Sequence, residues 1–233
     1  MFNSFIDGTK SALEMAAISN ATGLNAPEDG LQFPPAGVDD LAHILRPFED
    51  GGILPNKGQV EVVSSLERDG RPVFKDLRWG VYVVIEAPNE YTAACFREYG
   101  MNTDKSGRYS AMYKPFHLIG LELNISILSV ALLGKPTGST QTFLSDVVAV
   151  SKSDLKAGQI LDGEGGYHVW GKLLPAKKSL TFGYLPIGLA NNIKLKRDIP
   201  RNTHLKWSDV DINKTSHEVN LRIKMERKWT KFN

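Results

Sequence analysis

The feature that most constrains the fold is an apolar stretch between Met112 and Gly134. Pro115 stands where a helix can begin, because the first helical turn does not need the N–H that proline lacks. Apolar residues then recur at three- and four-residue steps, and Gly134 and Pro136 supply stop signals. These residues are Leu118, Leu121, Ile125, Leu128 and Leu132. The pattern predicts a helix from Pro115 to Leu133, buried inside a domain because most of its faces are apolar.

Polar residues gather at the amino end of this predicted helix. They are Arg108, Tyr113, Lys114 and His117. The first turn of a helix offers free N–H groups and a positive dipole end, which favour an anion. We therefore expect these side chains to converge, together with Lys10, on a phosphate or carboxylate. The alternative is an internal ion-pair cluster without a ligand, and a histidine at a helix start is often only structural.

The segment from Asp7 to Gly23 predicts an N-terminal helix. Asp7 or Thr9 can cap it, and Gly23 suits the left-handed position at its end. Lys10 and Glu14 lie four residues apart and therefore on one side. This pair is either a surface ion pair or part of a substrate pocket.

The following chain mixes irregular and regular segments. Residues 25–59 are rich in Pro, Gly and Asp, with a short helical piece at 39–45, and such long irregular chain is typical of functional loops or interfaces. Further predicted elements are strands at 60–67 and 79–86, a turn at Asp69–Gly70, and a helix at 90–99 capped by Asn89. The strand at 79–86 is apolar on both faces, which predicts a central position in its sheet.

After residue 142 the sequence pattern becomes typical of a compact β unit, in which short predicted strands are separated by turns that contain Gly and Pro. A strand is predicted at 145–151. The segments 153–161 and 197–205 share a step of Asp, an aliphatic residue, a turn and a second aliphatic residue, so they look like one structural device used twice. We predict an α+β protein with domains at 1–142 and 143–212, followed by a C-terminal basic helix or tail at 213–233.

The C-terminal segment allows two interpretations. Thr215–Glu218 is a capping-box pattern and predicts a helix, whereas the alternation of Val219, Leu221, Ile223 and Met225 is typical of a strand; we favour the helix. Residues 194–233 carry a charge balance of +6 and the remainder −4. Because no aromatic-interleaved basic patch accompanies this charge, we expect a solvated tail or an oligomer contact and no nucleic acid.

The composition also indicates the cellular compartment and the oligomeric state of the protein. Cys95 is the single cysteine, so an intrachain disulfide is excluded and a reducing compartment is indicated. No apolar run reaches the ~18 residues of a membrane span, and the start of the sequence carries no secretory signal pattern. We expect a cytoplasmic protein without a membrane partner. The irregular segment 25–59 and the β-rich half predict a homo-oligomer, most simply a dimer.

Four motifs together resemble a known family. They are Asp7–Leu24, Ser106–Tyr109, Tyr113–Glu122 and Leu161–Tyr167. They resemble the homoserine-dehydrogenase-like oxidoreductases that include the deoxyxylulose-phosphate reductoisomerase-like enzymes. The duplicated segments around Gly183–Gly188 resemble a SAF domain, the β-clip module of sialic acid synthases and antifreeze-like proteins.

The resemblance implies a mixed α/β substrate-binding and oligomerisation domain, followed by a small β-rich SAF domain. It implies an NAD(P)-dependent dehydrogenase or reductoisomerase acting on a small phosphorylated polyol or keto sugar. Family members bind NADPH on a Rossmann domain, but no Gly-x-Gly-x-x-Gly turn follows a strand here. We therefore expect this chain alone neither to bind NADPH nor to turn over, unless a Rossmann domain is supplied from elsewhere.

The same resemblance places the site residues. Lys10 would polarise the reacting carbonyl or hold the developing alkoxide. Arg108 and Lys114 would bind phosphate, with Tyr113 and His117 beside them. Glu14 and Glu122 would be the carboxylates for a divalent metal, one on each helix. The alternative function is a non-enzymatic SAF-domain protein that binds a sugar or acts as a scaffold.

Overall fold

The computed structural model describes residues 3–230 and divides the chain into two compact units. Unit 1 consists of Met1–Leu31 and Thr140–Asn233, and unit 2 of Gln32–Ser139. Helices and short sheets occur in both units, which confirms the predicted α+β class. Within the described residues, none of the helices combines the length and the apolar character needed to cross a membrane.

The α-helices are, in chain order, α1 (Asn3–Ile6), α2 (Thr9–Thr22), α3 (Leu41–Ile44), α4 (Glu90–Glu98), α5 (Leu123–Leu133), α6 (Ala176–Phe182) and α7 (His217–Thr230). The strands are β1 (Val81–Glu86), β2 (Asn102–Thr103), β3 (Tyr109–Lys114), β4 (Ser145–Ser151), β5 (Ile160–Asp162), β6 (Val169–Pro175), β7 (Asn191–Leu195) and β8 (Val210–Asp211). Short 3-10 turns lie at Val38–Asp40, Phe48–Asp50, Ile187–Leu189 and Trp207–Asp209.

Unit 1 is built on the antiparallel pair β4–β6, in which Ser145 faces Pro175 and Ser151 faces Val169. The predicted strand at 145–151 is thereby confirmed. Helix α2 packs on both strands. Gly171 of β6 permits this close approach, because a Cβ there would lie 2.9 Å from the Thr9 methyl carbon and 2.7 Å from Val147.

The two ends of α2 are held by side-chain hydrogen bonds. The Thr9 N–H donates to Asp7 Oδ1 over 2.9 Å, and Gly23 ends the helix with φ +84°. Near its carboxyl end, Asn20 Oδ1 accepts from the N–H groups of Leu144 and Ser145. The predicted N-terminal helix is confirmed. It packs with the C-terminal β unit, which differs from the division at residue 142 expected from the sequence.

The two predicted repeats, 153–161 and 197–205, bind each other. The N–H of Leu155 donates to the carbonyl of Ile199 over 2.8 Å, and the Ile199 N–H donates back over 2.9 Å. Elsewhere in this unit, β7 joins β5 and β8 in a three-stranded sheet. The prediction of one device used twice is confirmed, with a local two-fold relation between the copies.

Side chains repeat the same two-fold relation. Asp154 Oδ1 accepts from the N–H of Arg201, and Asp198 Oδ1 accepts from the N–H of Ala157, each over 2.8 Å. Each aspartate therefore fixes the turn of the opposite copy. This explains why both copies need an aspartate immediately before the bridging aliphatic residue.

The C-terminal segment forms α7, as favoured from its capping-box pattern. Val219 is buried, and Arg222 reaches Asp146 of β4. Most of the segment is therefore a packed helix; its last residues, 231–233, lie outside the described part of the chain.

Unit 2 contains a three-stranded antiparallel sheet in the order β1-β3-β2. Its core cluster lies around α3 and includes Leu41, Ala42, Leu45, Leu54, Leu77 and Ala111. The irregular segment 25–59 thus supplies core residues to its own chain, whereas the sequence indicated a functional loop or interface wrap. The short helical piece and the helix capped by Asn89 are confirmed.

Two strand predictions need correction. The strand at 79–86 forms β1, but it lies at the sheet edge, and Val81 and Val83 are exposed. Residues 60–67 make only isolated bridges, Ser64 with Pro35 and Leu66 with Pro72. Proline cannot donate to a ladder, so these bridges cannot extend into a regular strand. The turn at Asp69–Gly70 is confirmed by the bond from Gly70 N–H to Glu67 O.

The predicted buried helix from Pro115 is wrong at its start and in its environment. Strand β3 continues through Lys114, which pairs with Val81, and the helix α5 begins only at Leu123. A residue before proline favours extended backbone, so Lys114 belongs naturally to the strand. None of the α5 residues is buried.

Candidate functional site

Arg108 stands at the start of β3, beside two carboxylates. Its Nη1 lies 3.1 Å from Asp50 Oδ1, and its Nη2 binds Glu86 Oε1 at the end of β1. Lys57 Nζ lies 2.8 Å from Glu86 Oε2. These pairings lower the pKa of Glu86, chiefly through the hydrogen bond from Lys57. Arg108 is therefore neutralised within its own unit.

An open cleft of about 430 Å³ adjoins this cluster. It is lined by residues 86–90, Ala93 and Arg108. The residues from Asn89 onward begin α4, whose cap is the bond from Thr92 N–H to Asn89 Oδ1 over 2.9 Å. The cleft thus presents the carboxylates of Glu86 and Glu90 beside one guanidinium, a set that suits hydroxyl groups and a carbonyl better than a lone phosphate.

Tyr109 ties the cluster to the sheet. Its buried hydroxyl donates to Asp50 Oδ2 over 2.6 Å. Burial, followed by this bond, raises the pKa of Tyr109 above its usual range. The same bond is the main cause that lowers the pKa of Asp50. Tyr109 therefore remains a hydrogen-bond donor and Asp50 an ionised acceptor.

The loop that delivers Arg108 is organised by Asp104. Asp104 Oδ1 accepts from the Tyr109 N–H over 3.0 Å, and Oδ2 accepts from the Ser106 hydroxyl over 2.7 Å. Arg46 Nη1 lies 2.6 Å from Asp104 Oδ2. The short motif Ser106–Tyr109 is thus a rigid turn that sets the direction of Arg108.

Lys114 and Glu122 form a second cluster beyond the other end of β3. Glu122 accepts from Lys114 Nζ and, through Oε2, from the Leu118 N–H over 2.6 Å. These two bonds, with a smaller effect from the charge of His117, lower the pKa of Glu122. The Lys114 cation, which was expected to bind a phosphate, is thus already paired with a carboxylate of the chain itself.

The structure does not bring Arg108 and Lys114 together. They stand at opposite ends of β3, roughly 20 Å apart from the rise of a strand. The expected convergence required a helix starting at Pro115, whereas Lys114 is held in the sheet by its pairing with Val81. Tyr113 packs against the core cluster of unit 2 beside Tyr82. Arg108 and Lys114 thus belong to two separate clusters.

Lys10 and Glu14 lie on α2 of unit 1 and are half-buried. Near the start of this helix is an ion pair that the sequence interpretation missed, between Asp7 Oδ2 and Lys152 Nζ at 2.7 Å. Lys152 also donates to the carbonyl of Gly166 over 2.6 Å. The one signal in the sequence was that the motifs Asp7–Leu24 and Leu161–Tyr167, which contain Asp7 and Gly166, belong to the same family resemblance.

Other missed residues are Asp50, Glu86 and Tyr109. Asp50 lies in the irregular segment 25–59, whose composition was the one available signal. Glu86 ends a predicted strand and Tyr109 ends a predicted motif, so their proximity required the register of β1 and β3, in which Glu86 faces Tyr109.

A metal site is not formed by the described side chains themselves. Across residues 3–230, no group of three or more His, Cys, Asp or Glu is arranged to hold a metal ion. Glu14 belongs to unit 1 and Glu122 to unit 2. A role for these two carboxylates in metal binding therefore stays a prediction.

Comparison with protein families places these features in a class. A family model described as "Oxidoreductase DRL, catalytic domain" matches residues 1–123, more than half of the 233 residues. The chain therefore belongs to this family of oxidoreductase catalytic domains. The resemblance to oxidoreductases is confirmed at this level. A comparison with curated proteins found no match.

Proposed function

We propose that this chain is the catalytic, substrate-binding half of an NAD(P)H-dependent dehydrogenase or reductoisomerase that acts on a small phosphorylated polyol or keto sugar. The observation that carries the proposal is the family match over residues 1–123. That region contains Lys10 and both clusters at the ends of β3. Hydride transfer to a carbonyl needs a cation at the developing alkoxide, and we assign this role to Lys10.

The cleft beside Arg108 suits an uncharged ligand that carries hydroxyl groups. Glu86 and Glu90 can accept hydrogen bonds from hydroxyl groups, and Arg108 can donate to a carbonyl or hydroxyl oxygen. Because two carboxylates already neutralise Arg108, a phosphate there would have to displace Asp50 or Glu86. Because Lys114 lies roughly 20 Å away at the other end of β3, one small substrate cannot reach both places, and we place the phosphorylated substrate at Lys114 and not in this cleft.

The cluster around Lys114 suits the phosphate of such a substrate. Lys114 Nζ and the Leu118 N–H already hold a carboxylate, that of Glu122, with His117 nearby. A phosphate presents the same kind of acceptor oxygens with more charge. We propose that a phosphate group binds Lys114 and His117 by replacing Glu122.

Titration with inorganic phosphate, followed by calorimetry or NMR, tests this assignment. Glu122→Gln should bind phosphate several-fold more tightly than the wild type, because the competing charge is gone while the side-chain shape is kept. Lys114→Ala should lose binding, and Lys105→Ala, which removes an exposed lysine before β3, should not change it. Equal affinity in the wild type, Glu122→Gln and Lys114→Ala would contradict the phosphate assignment.

The remaining parts of the proposal concern neighbouring modules. We propose that residues of the C-terminal β unit form a SAF-like module, which the local two-fold relation of its repeats supports. NADPH would bind a Rossmann domain that residues 1–233 do not include. A divalent metal held by Glu14 or Glu122 and a homo-oligomeric state complete the proposal.

A further inference from the structure

One face of the β4–β6 pair in unit 1 carries a lysine and a histidine. Gly171 packs on helix α2, so the next residue, Lys172, lies on the opposite face of the pair. Lys172 pairs with Val148 of β4, and Val150, two residues further on, forms an isolated bridge with His204. Side chains of paired residues, and of residues two apart, share one face of a sheet. Lys172 and His204 therefore lie on the same face, with the two valines between them.

The surroundings of Lys172 are apolar and partly buried. Val148 and Val150 are 0% and 2% exposed, and Lys172 itself is half-buried. Its stem packs against the loop that contains Gly30, where an added Cβ would lie 2.9 Å from Lys172 Cε. Water screens a charge less in such surroundings than on an open surface. The Lys172 ammonium group therefore attracts an anion more strongly than a fully exposed lysine does.

His204 belongs to a stack of three rings. Its imidazole centre lies 4.8 Å from the ring centre of Tyr184, which lies 5.5 Å from that of Phe182. The buried Nε2 of His204 has no hydrogen-bond partner among the described residues. Burial lowers the pKa of His204, and the charges of Lys172 and Lys178 lower it further. The imidazole is therefore neutral near pH 7 and fixed in orientation, with one polar nitrogen that lacks a partner.

The two lysines beside His204 differ in their pairing. Lys178 Nζ donates to the Glu28 carbonyl over 2.7 Å and lies 3.1 Å from Asp29 Oδ1. Lys172 has neither an ion pair nor a side-chain hydrogen bond within residues 3–230. The face thus offers one unpaired positive charge and one neutral nitrogen that can carry a proton and donate it. Both groups are costly to bury without a partner, and a single anion between them would supply one to each.

We propose that Lys172 and His204 bind the carboxylate group of a small organic acid. One carboxylate oxygen accepts from Lys172 Nζ, and the other accepts from His204 Nε2. The charges favour a carboxylate, because one unpaired ammonium group neutralises one negative charge, whereas a phosphate monoester carries roughly 1.5–2 at pH 7. The site belongs to unit 1 and involves none of the residues assigned to the phosphorylated substrate.

Titration of the full chain with sodium acetate, followed in amide NMR spectra, tests this site. Sodium chloride at equal ionic strength is the control for general salt effects. We expect the amide signals of Lys172, His204 and Leu205 to shift with acetate and to saturate, with a dissociation constant on the order of 1–10 mM. Shifts that do not saturate, or that chloride reproduces, would overturn the proposal whether or not the variants below fold.

Two variants each remove one of the binding groups. Lys172→Met keeps an apolar stem without the charge, and His204→Phe keeps a ring in the stack without Nε2. We expect each variant to weaken acetate binding at least ~10-fold. Lys177→Met removes an exposed lysine of α6 and should leave the affinity unchanged.

The same spectra distinguish a carboxylate from a phosphate. In the wild type, inorganic phosphate should shift the signals around Lys172 and His204 less than acetate does at equal concentration. Tighter binding of phosphate at these residues, or an acetate affinity that neither Lys172→Met nor His204→Phe changes, would overturn the carboxylate assignment. Phosphate bound at Lys114 shifts a different set of amides, so a failure here leaves the proposed function as it stands.

Discussion

At the scale of single residues, Arg222 and Asp146 form the contact that fixes α7 on β4. Their side chains are only 13% and 6% exposed, and Arg222 Nη1 and Nη2 bind the two carboxylate oxygens at 2.9 and 2.5 Å. The Ser179 hydroxyl donates to Asp146 Oδ2 over 2.6 Å. The guanidinium and the Ser179 hydroxyl thus donate to both oxygens of the Asp146 carboxylate, and these hydrogen bonds are stronger while the carboxylate is ionised.

Removing the guanidinium should be costly, because Asp146 would stay buried without its counter-ion. We expect Arg222→Ala to lower the free energy of unfolding of unit 1 by about 3–5 kcal/mol, measured by urea denaturation. Lys224→Ala, an exposed cation of the same helix, should change it by less than about 0.5 kcal/mol. Equal effects of the two changes would show that the pair is not a stabilising anchor.

Glu61 is a buried carboxylate that organises the first residues of unit 2. Its Oε1 accepts from the N–H groups of Gln32, Phe33 and Val62 over 3.1, 3.4 and 2.9 Å. Burial outweighs these bonds and raises the pKa of Glu61 above its ordinary value of 4.5. The folded chain therefore holds this proton at pH values where the unfolded chain has released it.

Such a shift makes the contribution of Glu61 to stability fall as the pH rises from about 4.5 through its folded pKa. Glu61→Gln keeps Oε1 as an acceptor and removes the titration. We expect its free energy of unfolding, relative to the wild type, to increase over this pH window in denaturant titrations. A difference that is constant with pH would refute the assignment.

At the scale of elements, the two-fold repeat explains why a glycine stands at position 158. Gly158 and Asn202 occupy equivalent turn positions, and both have left-handed backbone, with φ of +86° and +58°. Their N–H groups make equivalent bonds, to the carbonyls of Leu195 and Ser151. Asparagine tolerates this conformation better than other residues with a Cβ atom.

The repeat therefore predicts which of two substitutions at Gly158 destabilises unit 1 more. Gly158→Ala should destabilise unit 1 by about 1–2 kcal/mol, since alanine is strained in left-handed backbone. Gly158→Asn should cost clearly less, because the second copy already uses asparagine at this position. Thermal denaturation of the two variants gives the comparison, and a cost for asparagine equal to that for alanine would count against it.

Elements with local signals were predictable from the sequence. Helices α2 and α4 carry Gly23 and Asn89 at their ends, and β4 is an apolar run with β-branched residues. The element that failed is the helix expected from Pro115, because the pairing of Lys114 with Val81 is a long-range contact that leaves no local trace. The edge position of β1 was not predicted either, because it depends on which strands pair across the sheet, and this pairing leaves no local signal in the sequence.

At the scale of the whole molecule, the site was only partly predictable. The sequence grouped Lys114 with His117, which are near neighbours in the chain, but gave no sign that Glu122 binds Lys114. It also joined Arg108 to Lys114, which the length of β3 forbids. Asp50 is 58 residues away from Arg108 in sequence, so its ion pair with Arg108 required the fold.

We expect residues 1–233 to show no measurable NADPH binding in calorimetry. The glycine-rich loop at 163–166 is the one segment that resembles a phosphate cradle by composition. The neighbouring N–H groups of Tyr167 and His168 already donate to the carboxylate of Asp162, over 2.6 and 3.0 Å. A pyrophosphate would meet a negative charge there. Micromolar binding would contradict the proposal that the cofactor site lies on another domain.

The packing of α2 against β4 and β6 has a consequence for the order of synthesis. The ribosome releases α2 before the strands that it packs on, because β4 and β6 follow only after the whole of Gln32–Ser139 has been made. At ~5–20 residues per second, this delay is on the order of ten seconds. During that time α2 lacks the strands that it packs on in the folded unit, so chaperones and ribosome-bound factors can bind it before its own partners exist.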